Sequence, residues 1–160
     1  KNGALPPPSV SKLKFEKLAK KQEEIAQKWL KNASDFHFFV KPNGTVFVVL
    51  KAHLPYIALI DNVLQKKSIG LEIGSFKGND FIPTHNLALS TAVADTITRI
   101  ELSQRDALLF LKKENIDLDN APQGWALACY EGLPLGFMKV LQNRINNYLP
   151  KDFRIRMSID

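Results

Sequence analysis

The chain has 160 residues, of which 45% are hydrophobic and 24% charged, a globular composition that excludes a disordered or fibrous protein. Its apolar runs fall far short of the roughly 20 residues that a membrane span needs, and the first residues lack the apolar core of a signal peptide. With a net charge of +6, we expect a soluble, cytoplasmic protein with no membrane partner.

The positive charge is unevenly distributed. Residues 1–67 carry twelve basic and five acidic side chains, whereas residues 93–160 carry nine of each. Within the second half, residues 144–156 hold four basic side chains and a single acidic one, Asp152. Clustered Lys and Arg on one face would bind phosphates, with an affinity that falls as salt rises. The same charges are equally compatible with a solvated surface, so charge alone does not decide the function.

The first ninety residues predict a linker followed by a small α+β module. Residues 1–10 hold three consecutive prolines, which are typical of an extended linker, and we expect the chain to be one end of a longer protein. Ser11 is predicted to cap a helix that ends near Asn32, with Trp29 and Leu30 in its apolar stripe.

A hairpin is predicted next, because two β-rich runs at 36–41 and 45–51 flank the turn sequence Pro-Asn-Gly at 42–44. The remaining predicted elements of this module are a short helix from Pro55 to Leu64, a strand over 68–76, and a helix over 83–89 entered through Pro83 and Thr84.

A second module is predicted to begin near residues 90–96. Its predicted elements are a strand over 97–103, a helix from Ser103 to about Glu114, strands at 124–132 and 134–141, a loop or single helical turn over 143–148, and an edge strand over 153–159. Short strands separated by glycines, together with a single helix, predict a small closed or half-closed barrel.

Candidate catalytic groups are few. Cys129 is the only cysteine and falls in a strand that we expect to be buried, where a thiol is unreactive. His85 has no Ser, Cys or carboxylate at a spacing typical of a triad, and Gly70 to Gly74 lacks the close spacing of a cofactor-binding loop. We therefore predict no catalytic residue, cofactor or metal site in this chain, which would bind a partner and not act as an enzyme by itself.

Two ordered sets of residues carry a family resemblance. The first set comprises Gly70, Gly74, Phe76, Lys77, Phe81, Pro83, Thr84, His85, Leu87 and Ala88. The second comprises Gly124, Trp125, Pro134, Leu135, Gly136, Lys139, Asn147, Pro150, Lys151 and Arg154. Residues 68–156 thereby resemble the C-terminal region of RsmF-type rRNA cytosine-5 methyltransferases of the Sun/Nop family. The chain departs from the family pattern at Phe137, Asn146 and Asp80, where Trp, Lys and a basic residue are usual.

The resemblance implies an α+β fold with a small mixed module over 11–92 and a PUA-like RNA-binding β-barrel over 93–160. It also implies an RNA-binding accessory region that docks rRNA or the ribosomal subunit for its own upstream catalytic domain. S-adenosylmethionine would bind only in that catalytic domain. The RNA-binding residues expected on this basis are Lys77, Lys139, Arg144, Asn147, Tyr148, Lys151, Arg154 and Arg156, whereas Trp125 is expected in the core.

Two other functions stay open at this point. The region could instead be a structural clamp that packs on the catalytic domain with little RNA affinity of its own, which exposed side chains at Trp29 and Leu30 would favour. Alternatively, the chain would be a free-standing RNA-binding adaptor.

Overall fold

A computed structural model of the protein describes residues 15–57 and 69–157. The predicted linker, the Ser11 cap and most of the helix predicted from Pro55 to Leu64 lie outside the described residues. Residues 54–57, at the start of that predicted helix, are helical. The described residues form an α+β fold, as predicted, and include no helix long and apolar enough to cross a membrane.

The first sheet is an antiparallel meander of five strands in sequence order. They are β1 (Glu16–Lys17), β2 (Phe36–Val40), β3 (Thr45–Leu50), β4 (Leu71–Lys77) and β5 (Asp80–Pro83). The predicted β2–β3 hairpin is confirmed, and its turn follows from local chemistry. The Asn43 side chain accepts a hydrogen bond from the Thr45 N–H at 3.1 Å, and Gly44 adopts a φ of 83°, which glycine tolerates best.

The long helix predicted up to Asn32 is confirmed only in part, since it is shorter than predicted at both ends of its described stretch. Residues 16 and 17 form β1, which pairs with β2, and helix α1 spans only Lys20–Gln27. The cause is aromatic packing on the sheet: the ring of Phe15 lies 5.8 Å from that of Phe39 and 5.2 Å from that of Phe47. Burial of this ring favours an extended chain over the helical propensity of the neighbouring residues.

The second sheet has the order β6-β7-β8-β9, with β6 parallel to β7 and the other pairs antiparallel. Its strands are β6 (Thr98–Glu101), β7 (Gly124–Tyr130), β8 (Leu133–Val140) and β9 (Ile145–Asn147). The pairs in the described residues do not include one that closes the sheet into a barrel, so closure stays a prediction.

Two helices flank this sheet, and both begin where the sequence predicted a helix start. The Thr84 hydroxyl accepts from the Leu87 N–H at the start of α2 (His85–Ala88). The Ser103 hydroxyl accepts from the Asp106 N–H at the start of α3 (Gln104–Lys112). Helices commonly begin in this way because their first N–H groups have no partner within the helix.

The secondary structure predicted for the C-terminal residues differs from that observed. Residues predicted as a loop at 143–148 include β9, and the predicted edge strand over 153–159 is not a strand in its described part. Instead, a 3₁₀ turn spans Lys151–Phe153. The Phe153 ring packs 4.7 Å from that of His85 on α2, and the Ile155 N–H donates to the carbonyl of Leu111 on α3. The tail thus contacts α2 and α3 instead of continuing as a strand.

The core lies on both faces of the second sheet. Leu127 and Phe137 pack against Trp29, Ile73 and other side chains of the first sheet and α1. The alternate positions of β7 and β8, occupied by alanines and Met138, pack against α3. One core thus extends across the boundary predicted near residues 90–96, and that boundary stays a prediction.

Candidate nucleic-acid interface

Cys129 is buried, as predicted, with 2% of its surface exposed. Burial raises the pKa of its thiol, so the thiol is protonated at neutral pH. A protonated, inaccessible thiol is a poor nucleophile. Cys129 is therefore a core residue of β7.

The stretch from Gly70 to Gly74 does not fit a nucleotide cofactor. Gly74 lies inside β4, opposite Pro83 of β5. A Cβ at Gly74 would lie 2.3 Å from a ring carbon of Phe81 and 2.6 Å from the carbonyl oxygen of Ile82. A side chain at position 74 would clash with β5, so this glycine is explained by close packing between the two strands.

The environment of His85 indicates a structural role for its side chain. Burial lowers the pKa of its imidazole, and its Nδ1 atom is buried without a hydrogen-bond partner in the described part of the chain. Its ring packs against Phe153. The neutral ring therefore anchors the C-terminal tail to α2.

A cluster of cation, amide and aromatic side chains crosses three strands of the second sheet. Trp125 of β7, Lys139 of β8 and Asn146 of β9 are neighbours in register. The Lys139 Nζ atom lies 5.4 Å from the centroid of the Trp125 ring, and the Tyr148 ring lies 4.5 Å from it on another side. All four side chains are half-buried. We call Trp125, Lys139, Asn146 and Tyr148 the platform.

The platform is held rigidly from behind. Trp125 packs edge-on against Trp29 at 5.7 Å and against Phe137 at 6.3 Å. The Tyr148 N–H donates to the Phe137 carbonyl at 3.0 Å. Trp125 therefore reaches the core, as predicted, but its half-exposed ring also belongs to the surface. That role was missed because the sequence pattern indicates only an apolar strand.

Asn147, predicted to bind RNA, uses its side-chain amide within the protein. Its Nδ2 donates to the Phe110 carbonyl at 2.7 Å, and its Oδ1 accepts from the Leu149 N–H at 2.8 Å. The Lys113 ammonium group also donates to the carbonyls of Asn147 and Leu149. These bonds tie β9 to α3 and thereby fix the position of Tyr148.

Four of the predicted basic residues follow the chain from the β8–β9 turn to the C-terminal tail. These are Arg144, Lys151, Arg154 and Arg156, all exposed. Among the ion pairs of residues 15–57 and 69–157, none involves these side chains or Lys139. Lys151 lies close enough to Lys113 to add to the effect of burial, and both lower the pKa of Lys113. We call these four residues the basic edge.

Lys77 lies apart from the basic edge in the fold. It is exposed at the end of β4 in the first sheet, and its register partner is Asp80. An opposite charge at this position reduces the local attraction for phosphate.

Comparison with known proteins identifies the region that carries the platform. Residues 97–155 match the family model described as the PUA domain of methyltransferase RsmF. This part of the chain is therefore similar to the PUA domain of RsmF-type methyltransferases. The match includes the whole platform and all of the basic edge except Arg156, whereas Lys77 lies outside it. The resemblance stated from the sequence motifs is thereby confirmed.

The chain is also similar to bacterial proteins named ribosomal RNA small subunit methyltransferase F. The protein from Shewanella loihica is 35% identical over 86 residues, that from Shewanella putrefaciens 33% over 89, and that from Shewanella oneidensis 36% over 87. Each match covers 52% of this chain and 17% to 18% of the relative. The chain thus spans less than a fifth of the length of these relatives in its matched region.

Proposed function

We propose that the chain is the RNA-binding accessory region of an rRNA cytosine-5 methyltransferase, which docks rRNA for a catalytic domain elsewhere in the enzyme. The observation that carries the proposal is the half-exposed Trp125–Tyr148 ring pair with the Lys139 ammonium group above it. The similar Shewanella proteins are named rRNA methyltransferases, which supports the same function.

The chemistry of the platform suits unpaired RNA. Proteins commonly recognise single-stranded RNA by stacking its bases on aromatic side chains. Each such stack contributes about 1–3 kcal/mol to binding and tolerates any base. Lys139 lies over Trp125, where its ammonium group would meet the phosphate next to a stacked base. The platform therefore offers a stacking surface and a cation within one short row of the sheet.

The basic edge would extend the contact along the RNA backbone. Arg144 directly precedes β9, and the other three basic residues follow Tyr148 along the C-terminal tail. Each Lys or Arg that neutralises a phosphate of a single strand steepens the slope of log K against log salt concentration by about 0.7. An extended basic edge thus implies binding that weakens markedly as salt rises.

The structural clamp receives no support from the side chains that would favour it. Trp29 and Leu30 are only 8% and 5% exposed, because both pack into the core of this chain. They are therefore not a surface for another domain. A free-standing adaptor would bind RNA with the same platform, so RNA titrations test that function as well.

The proposal is tested by fluorescence anisotropy with a labelled single-stranded RNA at two salt concentrations. The Lys139→Ala variant should bind more weakly than the wild-type chain, and its salt slope should fall by about 0.7. The matched control is Lys20→Ala, which removes an exposed lysine at the start of α1 and should keep both quantities. Absence of RNA binding by the wild-type chain, or equal effects of the two variants, would contradict the proposal.

A further inference from the structure

An open cleft lies beside the basic edge, on the side of the second sheet that faces α3. The loop between α3 and β7 forms one wall and the β8–β9 turn forms the other. The cleft has a volume of about 540 Å³. Lys139 and Trp125 do not line the cleft, so it is a separate feature from the platform.

The floor of the cleft is apolar and fixed. Ile116, Leu118 and Ile145 pack against the core cluster around Phe110. Val140, which also lines the cleft, is buried, with only 5% of its surface exposed. Such a floor suits the face of a planar ring, because an aromatic face prefers apolar contact to water.

The rim of the cleft is rich in side-chain amides. Five exposed amides line it: Asn115, Asn120, Gln123, Gln142 and Asn143. In the part of the chain that the structure describes, none of them is engaged in a side-chain hydrogen bond, in contrast to Asn147, whose amide is bonded at both ends. Each amide offers both donors and an acceptor, the groups that pair with the edges of nucleobases.

One acidic and one basic side chain complete the rim. Asp117 brings a carboxylate, which only accepts hydrogen bonds, and Arg144 brings a guanidinium group, which only donates. Their charges cancel, so this is not simply another phosphate site. A carboxylate acceptor favours a base that carries an exocyclic amino group, such as cytosine, over uracil, which has a carbonyl at that position.

The cleft and the platform are connected through the β8–β9 turn. Lys139 lies two residues before Leu141, whose N–H donates to the Arg144 carbonyl at 2.9 Å and closes the turn. Arg144 belongs to both the basic edge and the cleft rim. The platform and the cleft lie on opposite faces of the second sheet, so an RNA strand that crosses the platform and passes around the β8–β9 turn would bring a neighbouring nucleotide to the mouth of the cleft.

We propose that this cleft binds one unpaired nucleobase of the RNA on the platform and selects bases with an exocyclic amino group over uracil. The inference rests on the proposed RNA-binding function and adds a base preference to it. Stacking on the platform tolerates any base, so the preference comes from the rim of the cleft, with Asp117 as its main determinant.

The experiment compares labelled oligocytidylate and oligouridylate of about 12 nucleotides, a length within the range that single-strand-binding modules cover. The two pyrimidines have rings of equal size, so the comparison isolates the exocyclic group. The wild-type chain should bind oligocytidylate about tenfold more tightly. Asp117→Asn should bring this ratio close to one, since an amide accepts from cytosine and donates to uracil. Gln142→Ala should lower the affinity for oligocytidylate.

Gln104→Ala, which removes an exposed amide at the start of α3 outside the cleft, is the control and should keep the wild-type ratio. Equal affinities of the wild-type chain for the two oligonucleotides, or a ratio unchanged by Asp117→Asn, would overturn the inference. If both oligonucleotides still bound and the binding depended on Lys139, the RNA-binding function would stand and the base selection alone would fail. If neither bound, both would fail.

Discussion

Lys139 and Trp125 are register partners on adjacent strands, and the Lys139 ammonium group lies 5.4 Å from the centroid of the indole ring. A cation over an aromatic face is attracted by the ring's quadrupole, typically by about 0.5–1 kcal/mol at exposed sites. The contact orders the lysine before any ligand arrives, so less side-chain entropy is lost on binding. A stacking surface and a positive charge are therefore already arranged in the free protein.

Tyr148 should contribute to RNA binding through its ring and not through its hydroxyl group. Tyr148→Ala removes the ring beside Trp125 and should weaken binding by about 1–3 kcal/mol, the usual contribution of one stacked base. Tyr148→Phe keeps the ring and should bind RNA like the wild-type chain. Anisotropy titrations of both variants, each shown to be folded by circular dichroism, give the comparison. A Tyr148→Phe variant as weak as Tyr148→Ala would assign the effect to the hydroxyl group instead.

Asn147 should matter for stability because its amide bonds the Phe110 carbonyl and the Leu149 N–H. Asn147→Ala leaves both groups without this partner and should lower the free energy of unfolding by about 1–3 kcal/mol. The control Asn143→Ala, at an exposed amide in the β8–β9 turn, should change it by less than about 0.5 kcal/mol. Urea denaturation measures both, and similar values for the two variants would show that the internal bonds of Asn147 contribute little.

His85 should make stability depend on pH. Burial lowers its pKa in the folded state below the unfolded value of about 6.5. The unfolded chain therefore binds the proton more readily, and stability that is fully present above pH 6.5 is lost as pH falls through the folded-state pKa. His85→Gln should flatten this loss in denaturation curves measured between about pH 7 and pH 5. His53→Gln, at an exposed position, should retain it. Identical pH profiles for His85→Gln and the wild-type chain would refute this role.

Local sequence signals predicted much of the fold. The Asn43–Gly44 turn and the helix starts at Thr84 and Ser103 were predicted correctly because each depends on side chains within three residues. Strands β1 and β9 were missed, since they have two and three residues and form only against strands already in place. Periodicity cannot identify such short pairings.

The candidate site was predictable in its charges but not in its geometry. Lys139, Arg144 and Tyr148 were selected from charge, residue type and family resemblance, and their role in RNA binding stays a prediction. The platform needed the β7–β8–β9 register to bring Trp125 beside Lys139. Likewise, the internal bonds of Asn147 depend on Phe110, 37 residues away in sequence. Contacts at this separation are fixed by tertiary packing and leave no local signature.

The most direct test of the account is whether RNA bases stack on Trp125. The chain has two tryptophans, so Trp29→Phe leaves Trp125 as the single tryptophan reporter, with an aromatic ring retained in the core. Addition of single-stranded RNA should quench its fluorescence in a saturable manner, whereas polyphosphate, which carries the charge but no bases, should not. RNA that binds by anisotropy without quenching Trp125 would contradict the account, because the bases would then lie elsewhere than on the platform.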